Sequence, residues 1–121
     1  MPKILIVDDD FTITELMKAL VQMEGHEPTT VNDSMQAMAI AQTVNPDLIT
    51  LDLMMPGMTG FELCELLHSD PRFSSTPIVI VSARDDLESR ERATRAGATA
   101  YITKPFGVDE FIGQIKALTT H

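Results

Sequence analysis

Five side chains in this sequence have types suited to one reaction, and each follows a short apolar run. Asp8 and Asp9 follow KILIV, Asp52 follows LITL, Ser82 follows PIVIV, and Lys104 follows the run from Ala100 to Thr103. Carboxylates crowded at one place repel one another unless a cation or proton intervenes. Hard oxygen ligands of this kind suit Mg²⁺, which keeps several waters that a phosphate oxygen can replace. A lysine and a hydroxyl aimed at a phosphoryl group, with Mg²⁺ opposite, are the parts that stabilise charge during phosphoryl transfer. A carboxylate with such neighbours can itself be the nucleophile, giving an acyl phosphate, and Asp52 is the candidate. Each residue also has a plainer reading. Asp52 could simply begin a turn, Asp10 and in part Asp9 could cap a helix, Ser82 could be a turn residue, and Lys104 could be an exposed lysine at a strand end. What joins them is position: all lie at carboxyl ends of apolar runs, and nothing comparable marks the amino ends.

The elements that carry these residues are set by periodicity. Lys3 to Val7 reads as a buried strand. From Phe11 to Glu24, Ile13, Leu16, Met17, Leu20 and Val21 keep the spacing of an amphipathic helix, with Asp10 as its cap and Gly25 as its stop. Glu27 to Val31 is a strand whose Pro28 suits a sheet edge. Asn32, Asp33 and Ser34 supply turn and cap chemistry before a helix to about Thr43, which Asn45 and Pro46 end. After Leu48 to Leu51 and its Pro56–Gly57 turn, Thr59 or Gly60 opens a helix to about Ser69. Asp70 to Thr76 is a loop, and Pro77 to Val81 is a strand. Asp86 to Ala96 is a highly charged helix with Leu87, Ala93 and Ala96 as its chief apolar positions, ended by Gly97. A last strand, Ala100 to Thr103, precedes a helix from Val108 to Leu118 with Phe111, Ile112, Ile115 and Leu118 facing inward.

Strict alternation of five strands and five helices predicts an α/β fold, a parallel sheet covered on both faces. Right-handed crossovers and the common doubly wound, flavodoxin-like strand order 2-1-3-4-5 set the first and third strands side by side. The acids scattered in sequence then form one cluster in space.

Composition bounds the rest. With 121 residues, 44% of them hydrophobic and 22% charged, the chain has the make-up of a single folded domain spanning 1–121. A net charge of −9 opposes direct association with nucleic acid or an anionic membrane surface. No segment is long enough to span a bilayer, and MPKILIVDDD lacks the pattern of a signal peptide, so a cytoplasmic location is expected. Cys64, the one cysteine, lies in an apolar pattern and reads as core filler.

The combination of IVDDD, LDLMMPGMTG, VSA and YITKPF resembles the receiver domain of two-component response regulators, those of chemotaxis included, over essentially the whole chain. The resemblance implies that Asp52 accepts a phosphoryl group from a phosphohistidine of a histidine kinase or histidine phosphotransfer protein. It implies that Asp8 and Asp9, with Asp52 and the backbone carbonyl of Met54, hold Mg²⁺. Ser82 would bond one phosphoryl oxygen and Lys104 another, the Lys104–Pro105 peptide would be cis, and Tyr101 would be the switch aromatic that turns inward as Ser82 moves. Otherwise Tyr101 reads as plain core with its hydroxyl reaching solvent. The output would pass through the fourth helix, fifth strand and fifth helix to a downstream protein or an effector domain absent from this chain. The protein would be a phosphoacceptor with self-catalysed transfer and dephosphorylation, not an enzyme acting on an outside substrate.

Departures from the family pattern narrow this. Winged-helix regulators carry an acidic pair before the tyrosine and an arginine late in the fifth helix, which join in a salt-bridged dimer. Here Thr99 and Ala100 precede Tyr101, and the last helix has Lys116 but no arginine, so that dimer is not expected. The sequence stops after the fifth helix, which fits a stand-alone receiver or a piece of a longer protein. A haloacid-dehalogenase-like phosphatase also forms an aspartyl phosphate but needs an acid two residues later, where this chain has Met54. A nucleotide or flavin module would need glycine-rich signatures that are missing. A receiver used only as a binding scaffold is the third alternative.

Overall fold

Alternate residues along the strands feed two separate cores, and that period of two is what sets helices on both sides of the sheet. The computed structural model describes residues 1–119. In chain order the elements are β1 (Lys3–Val7), α1 (Phe11–Met23), β2 (Glu27–Val31), a 3₁₀ turn (Ser34–Gln36), α2 (Ala37–Val44), β3 (Leu48–Leu51), α3 (Gly60–Ser69), β4 (Ile78–Ser82), α4 (Leu87–Ala96), β5 (Ala100–Thr103) and α5 (Val108–Thr119). The sheet is parallel, in the order β2-β1-β3-β4-β5. Leu5, Val7, Ile49, Leu51, Ile78 and Ile80 face α2, α3 and α4. Ile4, Ile6, Leu48, Val79 and Val81 face α1 and α5.

The helix ends obey the expected chemistry. Asp10 accepts from the backbone N–H groups of Thr12 and Ile13 at the start of α1. Thr59 and Glu62 form a reciprocal capping box on α3. Asp86 caps α4 through the Ser89 N–H, and Gly97 ends it in the left-handed region at φ +112°.

Several boundaries and faces differ from those the sequence pattern predicts. The second helix opens as a 3₁₀ turn because the Asp33 carboxylate draws the Met35 N–H into a tight local bond. The fourth strand runs from Ile78 to Ser82, since Ser82 still pairs with Thr103 in the ladder. Leu16 and Leu87, inward by pattern, are exposed, and α4 buries only Ser89, Ala93 and Ala96. Leu87 stands in the first turn, before the helix has rotated its face onto the sheet. Pro28 lies in β2 at the sheet edge, as expected.

Candidate functional site

Strand register alone makes the site. Val7 pairs with Leu51, so the next residues, Asp8 and Asp52, leave the sheet side by side. Ser82 pairs with Thr103, which brings Lys104 to the same edge one strand further on. One carboxylate oxygen each from Asp8, Asp9 and Asp52 lie within 4.8 Å of one another. Asp8 and Asp52 are buried, and Asp9 is exposed.

Lys104 ties the cluster together. Its Nζ lies 2.6 Å from Asp8 Oδ2 and 3.3 Å from Asp52 Oδ2. The other Asp8 oxygen accepts from the Asp10 N–H at 3.0 Å, and the other Asp52 oxygen from the Met54 N–H at 3.3 Å. Burial and then the neighbouring Asp8 carboxylate raise Asp52 above the ordinary carboxylate range, and Lys104 and the Met54 N–H offset this only in part. Burial alone would lower Lys104, but its bond to Asp8 and the charges of Asp52 and Asp8 carry it above the ordinary lysine value. Lys104 is therefore charged, and one ammonium stands against three carboxylates. The donor set is all hard oxygen with an uncompensated negative charge, which fits Mg²⁺.

The remaining expected residues form a second group beside the first. Ser82, fully buried, accepts from the Arg84 N–H at 3.3 Å. Among the described residues its hydroxyl makes no hydrogen bond to Asp8, Asp52 or Lys104. The Tyr101 hydroxyl donates to the Arg84 carbonyl, which links β5 to the loop after β4. Burial raises this hydroxyl above its ordinary value, against the pull of Arg90. The Lys104–Pro105 peptide is cis. Met54 is 54% exposed, and its sulfur lies 3.9 Å from Arg84 Nη1.

Two contacts of this region had no signal in the sequence. The Arg90 guanidinium lies 4.4 Å from the centre of the Tyr101 ring and donates to Thr103 Oγ1 at 2.8 Å. An arginine on a charged helix reads as solvated until the packing of α4 on β5 is known. Beside Lys104 a hollow of about 310 Å³ is lined by Ile13, Leu16, Ala83, Lys104, Pro105 and Phe106. Its apolar walls come from α1, from Ala83 after β4 and from the loop after β5, which are far apart in the chain.

Residues 4–116 match the family model described as the response regulator receiver domain. The DNA-binding dual master transcriptional regulator RpaA of Synechocystis is 36% identical over 118 residues, covering 98% of this chain and 49% of RpaA. Protein PilG of Pseudomonas aeruginosa is 33% identical over 115 residues, covering 95% of this chain and 85% of PilG. The chain thus spans about half the length of RpaA but most of PilG. The solved structure of the Vibrio cholerae chemotaxis protein CheY4 superposes with a TM-score of 0.93 at 30% identity, covering 98% of each chain.

Proposed function

The chain belongs to the response regulator receiver domain family, and on that basis we propose that it is a phosphorylatable signalling switch whose phosphoacceptor is Asp52. A receiver of a two-component system implies a sensor kinase upstream. The finer reading is that Asp52 takes its phosphoryl group from a phosphohistidine of a histidine kinase or phosphotransfer protein, in a Mg²⁺-dependent step. The observation that carries it is the convergence of Asp8, Asp9 and Asp52 within 4.8 Å, with Lys104 bridging Asp8 and Asp52.

In this reading the Asp52 carboxylate attacks phosphorus, an Oδ–P bond forms, and the P–N bond to the donor imidazole breaks. Asp8, Asp9 and Asp52, with the Met54 carbonyl, would hold the metal. Bound Mg²⁺ supplies positive charge to the phosphoryl oxygens. Lys104 exchanges part of its bond to Asp52 for one phosphoryl oxygen, and the Ser82 hydroxyl takes another. Ser82 accepts from the Arg84 N–H, so its own O–H is free to donate to the phosphoryl oxygen, and its movement toward the phosphate draws the Arg84 loop with it. Since the Tyr101 hydroxyl rests on the Arg84 carbonyl, movement of that loop moves Tyr101, a population shift between two arrangements. Helix α4 moves with it at low cost because it buries only small side chains.

The donor protein would approach over the apolar hollow beside Lys104, whose rim includes the half-exposed Leu16. In this reading the output passes through α4, β5 and α5 to a downstream protein or effector domain, in a cytoplasmic setting. No helix among the described residues is long and apolar enough to cross a membrane. The chain acts on no outside substrate in this reading, and transfer to Asp52 and its later hydrolysis are its own chemistry.

The test is intact mass after incubation with acetyl phosphate, with and without Mg²⁺. The expected result is a gain of one phosphoryl group, only with the metal, lost in Asp52→Asn. Full labelling of Asp52→Asn would move the acceptor elsewhere and overturn the assignment.

A further inference from the structure

The two loops that carry the acids are both held from outside by a third loop that contributes no acid to the cluster. Between β2 and the 3₁₀ turn, Asn32 Nδ2 donates to the Asp8 carbonyl at 2.9 Å and to Thr14 Oγ1 at 3.0 Å. A backbone carbonyl can only accept, so the amide nitrogen is the atom that faces it. Thr14, fully buried, donates in turn to the Phe11 carbonyl at 3.0 Å, which ties the Asp8 peptide to the first turn of α1. Two residues on, the buried Ser34 hydroxyl donates to the Pro56 carbonyl at 3.0 Å and accepts from the Met58 N–H at 3.2 Å. Those two groups flank Gly57, whose φ of +81° makes the sharp turn after Asp52 and Met54. Met35 closes over the same turn, with its Cγ 3.3 Å from where a Gly57 Cβ would stand.

We infer that Asn32 and Ser34 are positioning residues for the divalent-metal site, Asn32 holding the Asp8–Asp9 loop and Ser34 the Asp52–Met54 loop. The inference rests on the proposed reading that these acids take Mg²⁺. Its physical reason is repulsion: three like charges push their loops apart before a cation arrives, and a clamp on both loops keeps the oxygens at binding distance. Groups that orient metal ligands without touching the metal commonly control its affinity. A merely structural role for the same bonds would lower stability and leave affinity alone.

The experiment uses the full chain carrying Asn32→Ala, Ser34→Ala or Ser34→Thr. Mg²⁺ affinity is read at neutral pH from the backbone amide shifts of Asp9, Leu53 and Met54, beside the metal-free melting temperature. Asn32→Ala and Ser34→Ala are expected to bind Mg²⁺ about tenfold more weakly than wild type, while Ser34→Thr, which keeps the hydroxyl, stays within about threefold. Alanine variants that melt lower yet bind Mg²⁺ as tightly as wild type would overturn the inference and leave the metal reading standing. A wild-type chain that does not respond to Mg²⁺ would overturn both. If Ser34→Ala fails to fold, Asn32→Ala decides, because Asn32 lies at the surface and its loss opens no core cavity.

Discussion

At the scale of single residues, Asp52 carries a tension that can be measured. Its raised pKa means that the fold disfavours the charged form, chiefly through burial and the Asp8 charge. The sign comes from linkage: a group whose pKa is higher folded than unfolded contributes stability below its unfolded pKa and loses it as pH rises through the folded value. At neutral pH, without metal, ionised Asp52 is therefore a destabilising charge. Asp52→Asn is expected to raise the metal-free melting temperature at pH 7, with the gain shrinking as pH falls through the raised folded value of Asp52 and gone below about 4, the ordinary carboxylate range. Thermal melts of both proteins from pH 3 to pH 8 check it. An Asn variant that melts lower than wild type at pH 7 would mean that the Lys104 bond outweighs desolvation. Lys104 itself illustrates a residue whose meaning lies in its partners: in sequence it is a lysine before a proline, and in the fold it bridges Asp8 and Asp52.

At the scale of elements, α4 is the informative one. It is ended by Gly97 in the left-handed region, and a Cβ there would stand 2.4 Å from His68 Cγ on α3. Gly97→Ala thus meets two penalties, a backbone strain of about 1–3 kcal/mol and a steric one against His68. The expected result is a lower melting temperature that His68→Ala recovers only in part, since it removes the imidazole ring but leaves the backbone strain and the residue 68 Cβ, 2.7 Å from the new methyl. Full recovery in the double variant would show that backbone strain contributes nothing. The charged pattern of α4 correctly announced weak burial, but for an incomplete reason. Its contact with the rest of the fold runs through small residues and through arginines, Arg92 over the Phe61 ring at 4.0 Å and Arg90 over Tyr101. Such side chains look solvated in a sequence because their long stems pack only when a partner ring is present. The β2–α2 loop presents the same limit: Asn32, Asp33 and Ser34 were legible as turn and cap residues, and only Asp33 serves the expected local role.

At the scale of the whole molecule, the question is what the acid cluster does to the fold as a unit. A ligand that binds only the folded state stabilises it by about 2.7 kcal/mol at a hundred times its dissociation constant. Mg²⁺ is therefore expected to raise the melting temperature of the full chain, and to do so much less in Asp8→Asn, where the cluster loses a charge. Scanning calorimetry across a Mg²⁺ series reads both, with Ca²⁺ and K⁺ as ionic controls. Equal shifts in wild type and Asp8→Asn would assign the effect to general screening of the net charge of −9. Tyr101 is the one tyrosine, and tryptophan is absent, so intrinsic fluorescence tracks the switch region in the same samples.

The class of fold and the residues of the acid cluster were legible in the order of the amino acids because they depend on local pattern, and the strand order followed from the common doubly wound arrangement of such alternating chains. Apolar runs with a period of two make strands, the three- and four-residue spacing makes helices, and alternation of the two forces a parallel sheet whose carboxyl edge collects the first residue beyond each strand. Asp8, Asp52 and Lys104 needed no more than that. Contacts between side chains distant in the chain were settled by the folded arrangement alone. The Asn32 bond to the Asp8 carbonyl spans 24 positions, the Ser34 bond to the Pro56 carbonyl spans 22, and the Tyr101 bond to the Arg84 carbonyl spans 17. A hydrogen bond forms or fails over a few tenths of an ångström, and no periodicity encodes position that finely. Register does, and register exists only once the strands have paired.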